Sequence, residues 1–237
     1  KSVEELLEIK SEIELKLQKF GSLEEDIKRI QKEVEQLKKN CLIKAKEISA
    51  KRIKALPGIE NQINSLLSAL AMPNAQFKIE LNTQSEIGSS GIDKISFLFS
   101  ANKGGDFKEL QKVASGGETS RLMLSIKSVL AQKRSLPSII FDEIDTGISG
   151  DVADKMGQIF LQMAKNMQVI SITHLPQIAS KGKHHLFVFK NDSKSKTTSY
   201  IKSLEGEERI VEIAKMLSTG KPTESAIKNA QDLLSAN

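Results

Sequence analysis

The first 55 residues carry a heptad repeat, and this repeat constrains the fold more than any other feature of the sequence. Steps of three and four from Leu6 to Ile48 reach thirteen positions, of which eleven hold an apolar residue or cysteine. The flanking positions are mostly charged, and the segment contains no proline. A narrow apolar seam with charged flanks is typical of a coiled coil. We therefore predict a coiled-coil arm over residues 1–56. The alternative is one amphipathic helix that lies on a globular core.

Local signals predict where the helices of this arm begin and end. Ser2 and Glu5 fit a capping box at the start of the chain. Gly21 predicts a break or bend, and Pro57-Gly58 predicts the end of the arm, with a further helix to about Leu70. A single strand of coiled coil needs a partner, and no second heptad stretch occurs in the sequence. The partner is therefore another copy or a segment that this chain does not contain.

The remaining residues, 57–237, predict an α/β head. Residues 77–81 and 95–99 alternate between apolar and polar, as an antiparallel strand pair does. Two short apolar runs, 138–141 and 169–172, are typical of buried parallel strands. Helices are expected at about 116–133, 151–165, 207–218 and 223–235, and further strands at 185–190 and 198–203. Strands that alternate with helices in this way predict a largely parallel sheet.

Composition excludes several classes of protein. Cys41 is the only cysteine, which excludes a disulfide framework and a cysteine-based zinc site. No apolar run approaches the roughly 20 residues that a membrane helix needs. The net charge of +5 is spread along the chain, so charge alone does not identify a partner. The first residue is not methionine, which predicts a piece of a longer protein.

The first motif of the head is Asp142-Glu143, directly after the apolar run 138–141. Ligands bind at the carboxyl ends of strands in parallel α/β sheets, so both carboxylates are expected at the functional edge. The first acid is suited to hold Mg²⁺, and the second is placed to accept a proton from an attacking water. The alternative is that both are surface acids that cap the next helix.

The second motif is the segment 114–118, Ala-Ser-Gly-Gly-Glu, at the start of the predicted helix 116–133. Two glycines let a ligand approach the backbone closely, and a helix N-terminus attracts an anion. Ser115 adds a hydroxyl donor, so the motif favours phosphate binding. The alternative is an ordinary capping box between Ser115 and Glu118, although a capping box does not require a tandem glycine.

The third motif is Thr173-His174, at the end of the run 169–172. It places a histidine on the same sheet edge as Asp142 and Glu143. An imidazole at this position is suited to sense a phosphate or to position water. A histidine at a strand end is also often structural, and the motif alone does not decide between these roles.

Together, the order and spacing of these motifs resemble the ATP-binding cassette family. The four residues Ser115, Gly116, Gly117 and Glu118 resemble its signature motif. Asp142-Glu143 resembles its Walker B motif, Asp145 its D-loop and His174 its switch histidine. The resemblance implies that the signature residues contact the γ-phosphate of an ATP held by a second head. Two heads would then enclose two nucleotides.

The phosphate loop of such ATPases, G-x-x-x-x-G-K-[ST], is absent from the sequence. Gly182-Lys183 and Gly220-Lys221 are the Gly-Lys pairs, and neither follows a glycine at the required distance. The fold predicted for residues 57–237 is therefore the C-terminal half of a P-loop ATPase head. A coiled-coil arm directly before such a half resembles the SMC-like ATPases, in which a coiled coil separates the two halves of each head.

Longer segments resemble the RecN family of bacterial DNA repair proteins, an SMC-like group. These segments are residues 72–77, 97–102, 113–118, 141–150 and 172–179. The resemblance implies a role in recombinational repair of DNA double-strand breaks. ATP would bring two heads together, hydrolysis would release them, and the arms would hold or relay DNA. It also implies a cytoplasmic, nucleoid-associated protein with no membrane partner.

The same resemblance implies roles for individual residues. Asp142 would serve Mg²⁺, Glu143 would be the general base, and His174 and Asp145 would act where two heads meet. The implied cofactors are ATP and Mg²⁺, and the implied partners are DNA, a second head and the missing N-terminal half of the same head. This chain alone is expected to be inactive because it lacks the phosphate loop. Basic candidates for DNA contact are Lys181, Lys183 and Lys190, although a solvated face also explains them.

Two other functions stay open. A chromosome-organising SMC subunit would share the motifs but would have a much longer arm and a hinge domain. A non-catalytic coiled-coil scaffold would explain the arm and the charge balance. It would not explain why the acid pair, the tandem glycine and the histidine occur in register.

Overall fold

The computed structural model describes residues 2–113, 116–134, 136–148, 150–192, 197–218 and 220–235. The chain divides into two compact units. The first contains residues 1–56 and 80–96, and the second contains residues 57–79 and 97–237.

Helix α1 runs from Val3 to Ala69 without interruption. The predicted capping box is confirmed, because the Glu5 amide donates to the Ser2 hydroxyl and the Ser2 amide donates to the Glu5 carboxylate. The helix continues through Gly21 and Pro57, so the prediction of separate helices is wrong. An interior proline costs roughly 3 kcal/mol of helix stability. Side chains on both sides of Pro57 form hydrogen bonds with β-strand residues, and these contacts hold the helical turns that flank it.

The apolar seam of α1 is exposed over most of its length. Seam residues with more than half of their surface accessible are Leu6, Ile13, Phe20, Leu23, Ile27, Ile30 and Leu37. The described residues therefore do not cover this face of the helix. An uncovered heptad seam is what a coiled-coil strand without its partner presents.

A β-hairpin follows α1. Strands β1 (Gln76–Gly88) and β2 (Gly91–Ser100) are neighbours, and β2 also pairs antiparallel with the short β3 (Lys108–Glu109). Only two residues join β1 to β2, as in a tight hairpin. The strand pair was predicted, but the polar residues 82–93 are mostly strand instead of a loop. Their side chains are largely exposed, so no apolar alternation marks them.

The centre of the second unit alternates helix and strand. Its elements are α2 (Gly116–Arg134), β4 (Ser138–Asp142), α3 (Gly150–Ala164) and β5 (Gln168–Ile172). The strands β4 and β5 are parallel, with Ser138 opposite Gln168 and Asp142 opposite Ile172. This confirms the predicted parallel pairing and the α/β class.

The β4–β5 pair is packed on one face only. Phe141 is buried and stacks on Phe160 of α3, with 4.8 Å between the ring centres. On the other face Ile140 is 60% exposed and Ile172 is 53% exposed. The prediction of fully buried strands is therefore wrong for the described residues. Successive side chains of a strand point to opposite faces, and here only one face has a covering layer.

The C-terminal region contains a short helix, a hairpin and a helix pair. They are α4 (Pro176–Ala179), the antiparallel strands β6 (His185–Asp192) and β7 (Thr197–Leu204), and helices α5 (Gly206–Met216) and α6 (Glu224–Ser235). Ile213 and Ala214 of α5 pack with Ala226 and Ala230 of α6. Across the described segments, no helix has the length and apolar character needed to cross a membrane.

Candidate functional site

The acid pair lies where β4 ends and the chain turns sharply. Asp142 is the last residue of β4, and the side chains of Asp142 and Glu143 are both exposed. Glu143 has a φ of 49°, in the left-handed region that L-residues rarely adopt. Its carbonyl oxygen accepts hydrogen bonds from the Thr146 hydroxyl at 2.8 Å and from the Thr146 amide at 3.3 Å. The turn is thus held in a costly conformation, as is common at functional sites.

Asp145 joins this turn to the end of the neighbouring strand. Its side chain is buried, and the residue is only 1% exposed. The Thr173 hydroxyl, which follows β5, donates a hydrogen bond to Oδ2 of Asp145. Nδ1 of His174 lies 3.8 Å from the same oxygen. Oδ1 of Asp145 is buried and has no hydrogen-bond partner among the described residues.

His174 itself faces solvent. Its side chain is 74% exposed, while Thr173 beside it is held on both sides. The Thr173 hydroxyl donates to Asp145 and accepts a hydrogen bond from the Leu175 amide at 3.0 Å. The backbone that carries His174 is therefore fixed, and its imidazole remains accessible to a ligand or a second protein.

The start of α2 adjoins the same turn. A Cβ added to Gly117 would lie 3.2 Å from the Gly147 carbonyl oxygen, so a close helix–turn contact explains this glycine. A Cβ added to Gly116 would have no neighbour within 4 Å among the described residues, so their packing does not explain why this position is glycine. Glu118 lies in the first helical turn and is partly exposed. Ser115, which was predicted to bind phosphate, lies outside the described residues.

A cleft of about 220 Å³ separates α2 from the acid turn. Its walls are formed by Thr119, Ser120, Met123 and Lys127 of α2 and by residues 141–144. The Lys127 ammonium nitrogen lies 5.8 Å from the centre of the Phe141 ring, a cation–π distance. One wall thus carries two carboxylates and the other carries an ammonium group, an arrangement suited to a polar ligand.

A larger open cavity of about 560 Å³ lies where α1 meets β1. Two of its polar side chains, Asn64 and Glu60, are engaged with the strand. Asn64 exchanges two hydrogen bonds with the backbone of Phe77, and the Glu60 carboxylate accepts the Ile79 amide at 2.7 Å. These contacts satisfy the backbone of an edge strand. These contacts give Glu60 and Asn64 a structural explanation.

The structure places four predicted residues at one sheet edge. Asp142 lies opposite Ile172, two residues before His174, and Asp145 joins the two strand ends. No group of three or more His, Cys, Asp or Glu side chains forms a metal-binding cluster in the described part of the chain. A site with few protein ligands, such as one that includes Asp142, fits Mg²⁺ because that ion usually keeps several waters and substrate oxygens.

The structure gives Lys181 a different role from those considered in the sequence, and it shows contacts of Arg209 that the sequence did not predict. Lys181, considered for DNA contact, has a side chain only 6% exposed, and its ammonium group pairs with Asp154 at 2.9 Å. In this structure Lys181 is therefore not the solvated lysine that either explanation assumed, and its ammonium group serves a contact within the protein. Arg209 was not singled out at all, yet it donates to the backbone of the segment after His174. An arginine near the start of an amphipathic helix gives no signal that distinguishes it from a surface residue.

The chain is similar to curated DNA repair proteins. No protein-family model matches it. It is 38% identical over 224 residues to the DNA repair protein RecN of Vibrio cholerae, covering 93% of this chain and 40% of that protein. It is 43% identical over 190 residues to RecN of Rickettsia typhi, covering 80% and 34%. With RecN of Bacillus subtilis it shares 32% over 248 residues, covering 98% and 43%. The chain therefore spans about two fifths of the length of these relatives.

Solved structures show a similar fold at low identity. A chain from a study of ATP-driven dimerisation and DNA-stimulated activation of SMC ATPases matches with a TM-score of 0.52 and 17% identity. The match covers 74% of this chain and 99% of that one. The Smc head domain with a coiled coil and joint from Pyrococcus yayanosii matches with a TM-score of 0.55 and 18% identity, covering 79% and 30%. At these identities the likeness concerns the fold, and it confirms the predicted SMC-like head architecture.

Proposed function

The chain belongs to the RecN family, and from this premise we propose that it forms the C-terminal half of an ATPase head, residues 57–237, with part of a coiled-coil arm, residues 1–56. The complete protein would act in recombinational repair of DNA double-strand breaks. The observation that carries the proposal is the meeting of Asp142, Glu143 and His174 at one sheet edge. The N-terminus of α2 adjoins the same turn.

In this proposal Asp142 holds the magnesium ion that accompanies ATP. Its carboxylate is exposed at the end of β4, where substrate phosphates can also reach it. The ion would neutralise the charge that develops on the phosphate oxygens during hydrolysis. One carboxylate is enough for this purpose, since phosphate oxygens and waters complete the coordination of Mg²⁺.

Glu143 acts as the general base for the attacking water. Its carboxylate is exposed next to Asp142, and its backbone is fixed in the left-handed turn described above. A base must lie within hydrogen-bond reach of the proton that it accepts. The fixed turn supports this role because it limits the positions that the carboxylate can occupy.

The signature residues of one head would bind the γ-phosphate of an ATP held by another. The amide groups at the N-terminus of α2 favour an anion, and the absence of a side chain at Gly116 leaves them accessible. Ser115 would add a hydroxyl donor. Gly117 and Glu118 would support this contact, Gly117 through its packing on Gly147.

His174 and Asp145 have different places in this scheme. The exposed imidazole of His174 is available at the junction between two heads. Asp145 is too buried to contact a nucleotide directly, so we place its effect on the junction through Thr173 and the backbone of His174.

Two uncovered apolar surfaces support the proposal that the N-terminal half of the head and a second arm helix are partners of this chain. The seam of α1 and the open face of β4–β5 each expose large aliphatic side chains in the described residues. The N-terminal half of the head would cover the sheet face and supply the phosphate loop and an antiparallel helix for the arm. Paired heads would control arms that hold DNA, in the cytoplasm at the nucleoid.

The test is ATP hydrolysis by the full-length protein and its Glu143→Gln variant, with and without linear DNA. We expect the variant to bind ATP but to hydrolyse it roughly 10²-fold more slowly, because the general base is lost. Glu207→Gln, an exposed acid on α5, is the matched control and should behave as wild type. The 237-residue chain alone should show no turnover.

Near-normal turnover by Glu143→Gln would remove Glu143 from the role of base, and turnover by the isolated chain would contradict the need for a phosphate loop. A folded full-length protein that binds ATP without hydrolysing it would favour the scaffold function.

A further inference from the structure

The segment that carries His174 is held by hydrogen bonds at both of its ends. The bonds at its second end come from α5, which lies much later in the sequence. At its start, Thr173 is hydrogen-bonded to the buried Asp145. At its end, the chain forms the short helix α4 and then a turn over residues 180–182. The Thr173–Asp145 contact lies inside the proposed ATPase site. The proposed ATPase chemistry does not explain the contact at the turn 180–182.

The turn after α4 carries the carbonyl groups that receive the second contact. The Ala179 amide donates to the Leu175 carbonyl at 3.0 Å, and the Ser180 amide donates to the Pro176 carbonyl at 2.9 Å. The carbonyls of Ser180 and Gly182 lie beyond the last helical residue, and each accepts a hydrogen bond from a side chain of α5.

Arg209 of α5 supplies both donors. Its Nη2 atom donates to the Ser180 carbonyl at 2.8 Å and to the Gly182 carbonyl at 2.5 Å. The side chain is half-buried, and burial lowers the pKa of its guanidinium below the ordinary value. A cation is costly to remove from water, so two carbonyl acceptors are needed to offset that cost. Both hydrogen bonds come from the one nitrogen Nη2, while Nε is buried without a partner among the described residues.

The same turn is also fixed against α3. The Lys181 stem crosses Gly157 so closely that a Cβ at Gly157 would lie 2.8 Å from Cδ of the lysine. The Lys181 ammonium then reaches Asp154 of α3 at 2.9 Å. The turn is therefore held from two sides, by Lys181 against α3 and by Arg209 against α5, so the loss of the Arg209 contacts would leave it held on one side only.

We propose that Arg209 is a positioning residue for His174, and that through it the helix pair α5–α6 sets the placement of the switch segment 173–182. The proposal rests on the role of His174 proposed above. Because α5 packs on α6 through Ile213, Ala214, Ala226 and Ala230, a displacement of this pair would act on the switch segment through Arg209. The C-terminal helices thus become a control point for the response of the head to nucleotide.

The test compares Arg209→Met and Arg209→Lys in the full-length protein, with Lys215→Met as control. Lys215 lies on the same helix, is half-exposed and pairs with Glu212, so it matches the lost charge without touching the turn. The first readout is amide hydrogen exchange over residues 173–182. The second is kcat and KM for ATP.

We expect Arg209→Met to speed exchange in 173–182 by roughly tenfold while the α2 and α3 amides stay near wild type. It should lower kcat by roughly tenfold with KM within about twofold, because misplacement of a group that acts in the transition state affects kcat. Arg209→Lys should restore part of both effects, and Lys215→Met should show neither.

Unchanged exchange in 173–182 would overturn the proposal, and so would faster exchange spread evenly over the whole unit, since that would mean a general loss of stability. If Arg209→Met does not fold, Arg209→Lys decides by the same two criteria. If the wild-type protein hydrolyses no ATP, the proposed function fails, and the exchange data still show whether Arg209 controls the switch segment.

Discussion

Asp93 in the first unit and Asp145 in the second are both buried carboxylates, and they differ in how completely their oxygens are bound. The Asp93 side chain has no accessible surface. Ser49 donates to one oxygen at 2.7 Å, and Arg52 donates to the other at 2.8 Å. The hydrogen bond from Arg52 is the main reason that the pKa of Asp93 lies below its ordinary value, and burial opposes it. Asp93 therefore ties its hairpin to α1 with a complete set of partners.

Asp145 has only part of such a set. Thr173 donates to one oxygen, and the other is buried without a partner among the described residues. Its nearest ionisable neighbour in the described ion pairs is the exposed His174, 3.8 Å away. A buried carboxylate that lacks a donor is costly. The difference indicates that Asp93 serves the fold, whereas Asp145 has one oxygen without a donor among the described residues, which supports its proposed role at the junction between heads.

The largest expected effect follows from this difference. Asp145→Asn in the full-length protein should lower ATP turnover by roughly tenfold to a hundredfold, because it disturbs the carboxylate that places Thr173 and His174. Asp93→Asn should leave turnover per folded molecule within about twofold. Steady-state hydrolysis measured beside thermal unfolding separates the two effects. Equal losses of turnover in both variants would remove the distinction between a structural and a functional carboxylate.

Acid should weaken the contacts of Asp93 with Ser49 and Arg52 and thus lower the stability of the protein. We expect this effect on stability to be smaller than the effect of Asp145→Asn on turnover. The pKa of Asp93 is lowered in the folded state, while an unfolded aspartate titrates at about 3.9. The contribution of Asp93 to stability is thus complete above about pH 4 and is lost as the pH falls through its lower folded pKa. Urea midpoints of wild type and Asp93→Asn should differ most near pH 7 and converge below about pH 4.

The control for this titration is Glu86→Gln, which removes an exposed carboxylate from the same hairpin. A difference between wild type and Asp93→Asn that stays constant from pH 7 to pH 3 would show that the charge of Asp93 does not stabilise the tie.

Local patterns in the sequence predict much of the second unit. The elements α2, β4, α3 and β5 each carry their own periodicity or apolar run, and each forms within a few residues of its predicted bounds. The acid pair and His174 follow from the strand ends, because the carboxyl ends of parallel strands share one edge. Their proposed chemistry depends on the combination of motifs, since each motif alone has an ordinary structural explanation.

Long-range pairs escape the same reasoning. Arg52 and Asp93 are 41 residues apart, and Arg209 and Ser180 are 29 apart. Each of these is an ordinary charged or polar residue in a polar part of the sequence, so no local pattern predicts which residue it will contact. The continuous helix through Pro57 was missed for a related reason, because contacts made after folding outweigh the roughly 3 kcal/mol that an interior proline costs. Tertiary packing decides these features, and a single sequence does not display it.

The smallest expected effect concerns a pair that contrasts with both buried carboxylates. Lys16 and Glu12 form an ion pair on α1 at 3.1 Å, with both side chains about two thirds exposed. Exposed ion pairs of this kind contribute little to the free energy of unfolding, because water and salt screen the charges and two flexible side chains must be ordered. Lys16→Ala should change the free energy of unfolding by less than about 0.5 kcal/mol.

Because Lys16 occupies a seam position, the free energy of unfolding of a second variant at this position also tests whether the arm is covered by another helix. A marked stabilisation on replacing Lys16 by leucine in the full-length protein, with no such change at the exposed flank residue Lys10, would show that a second helix covers the seam there. Equal responses at both positions would show that the seam stays open at this level of the arm.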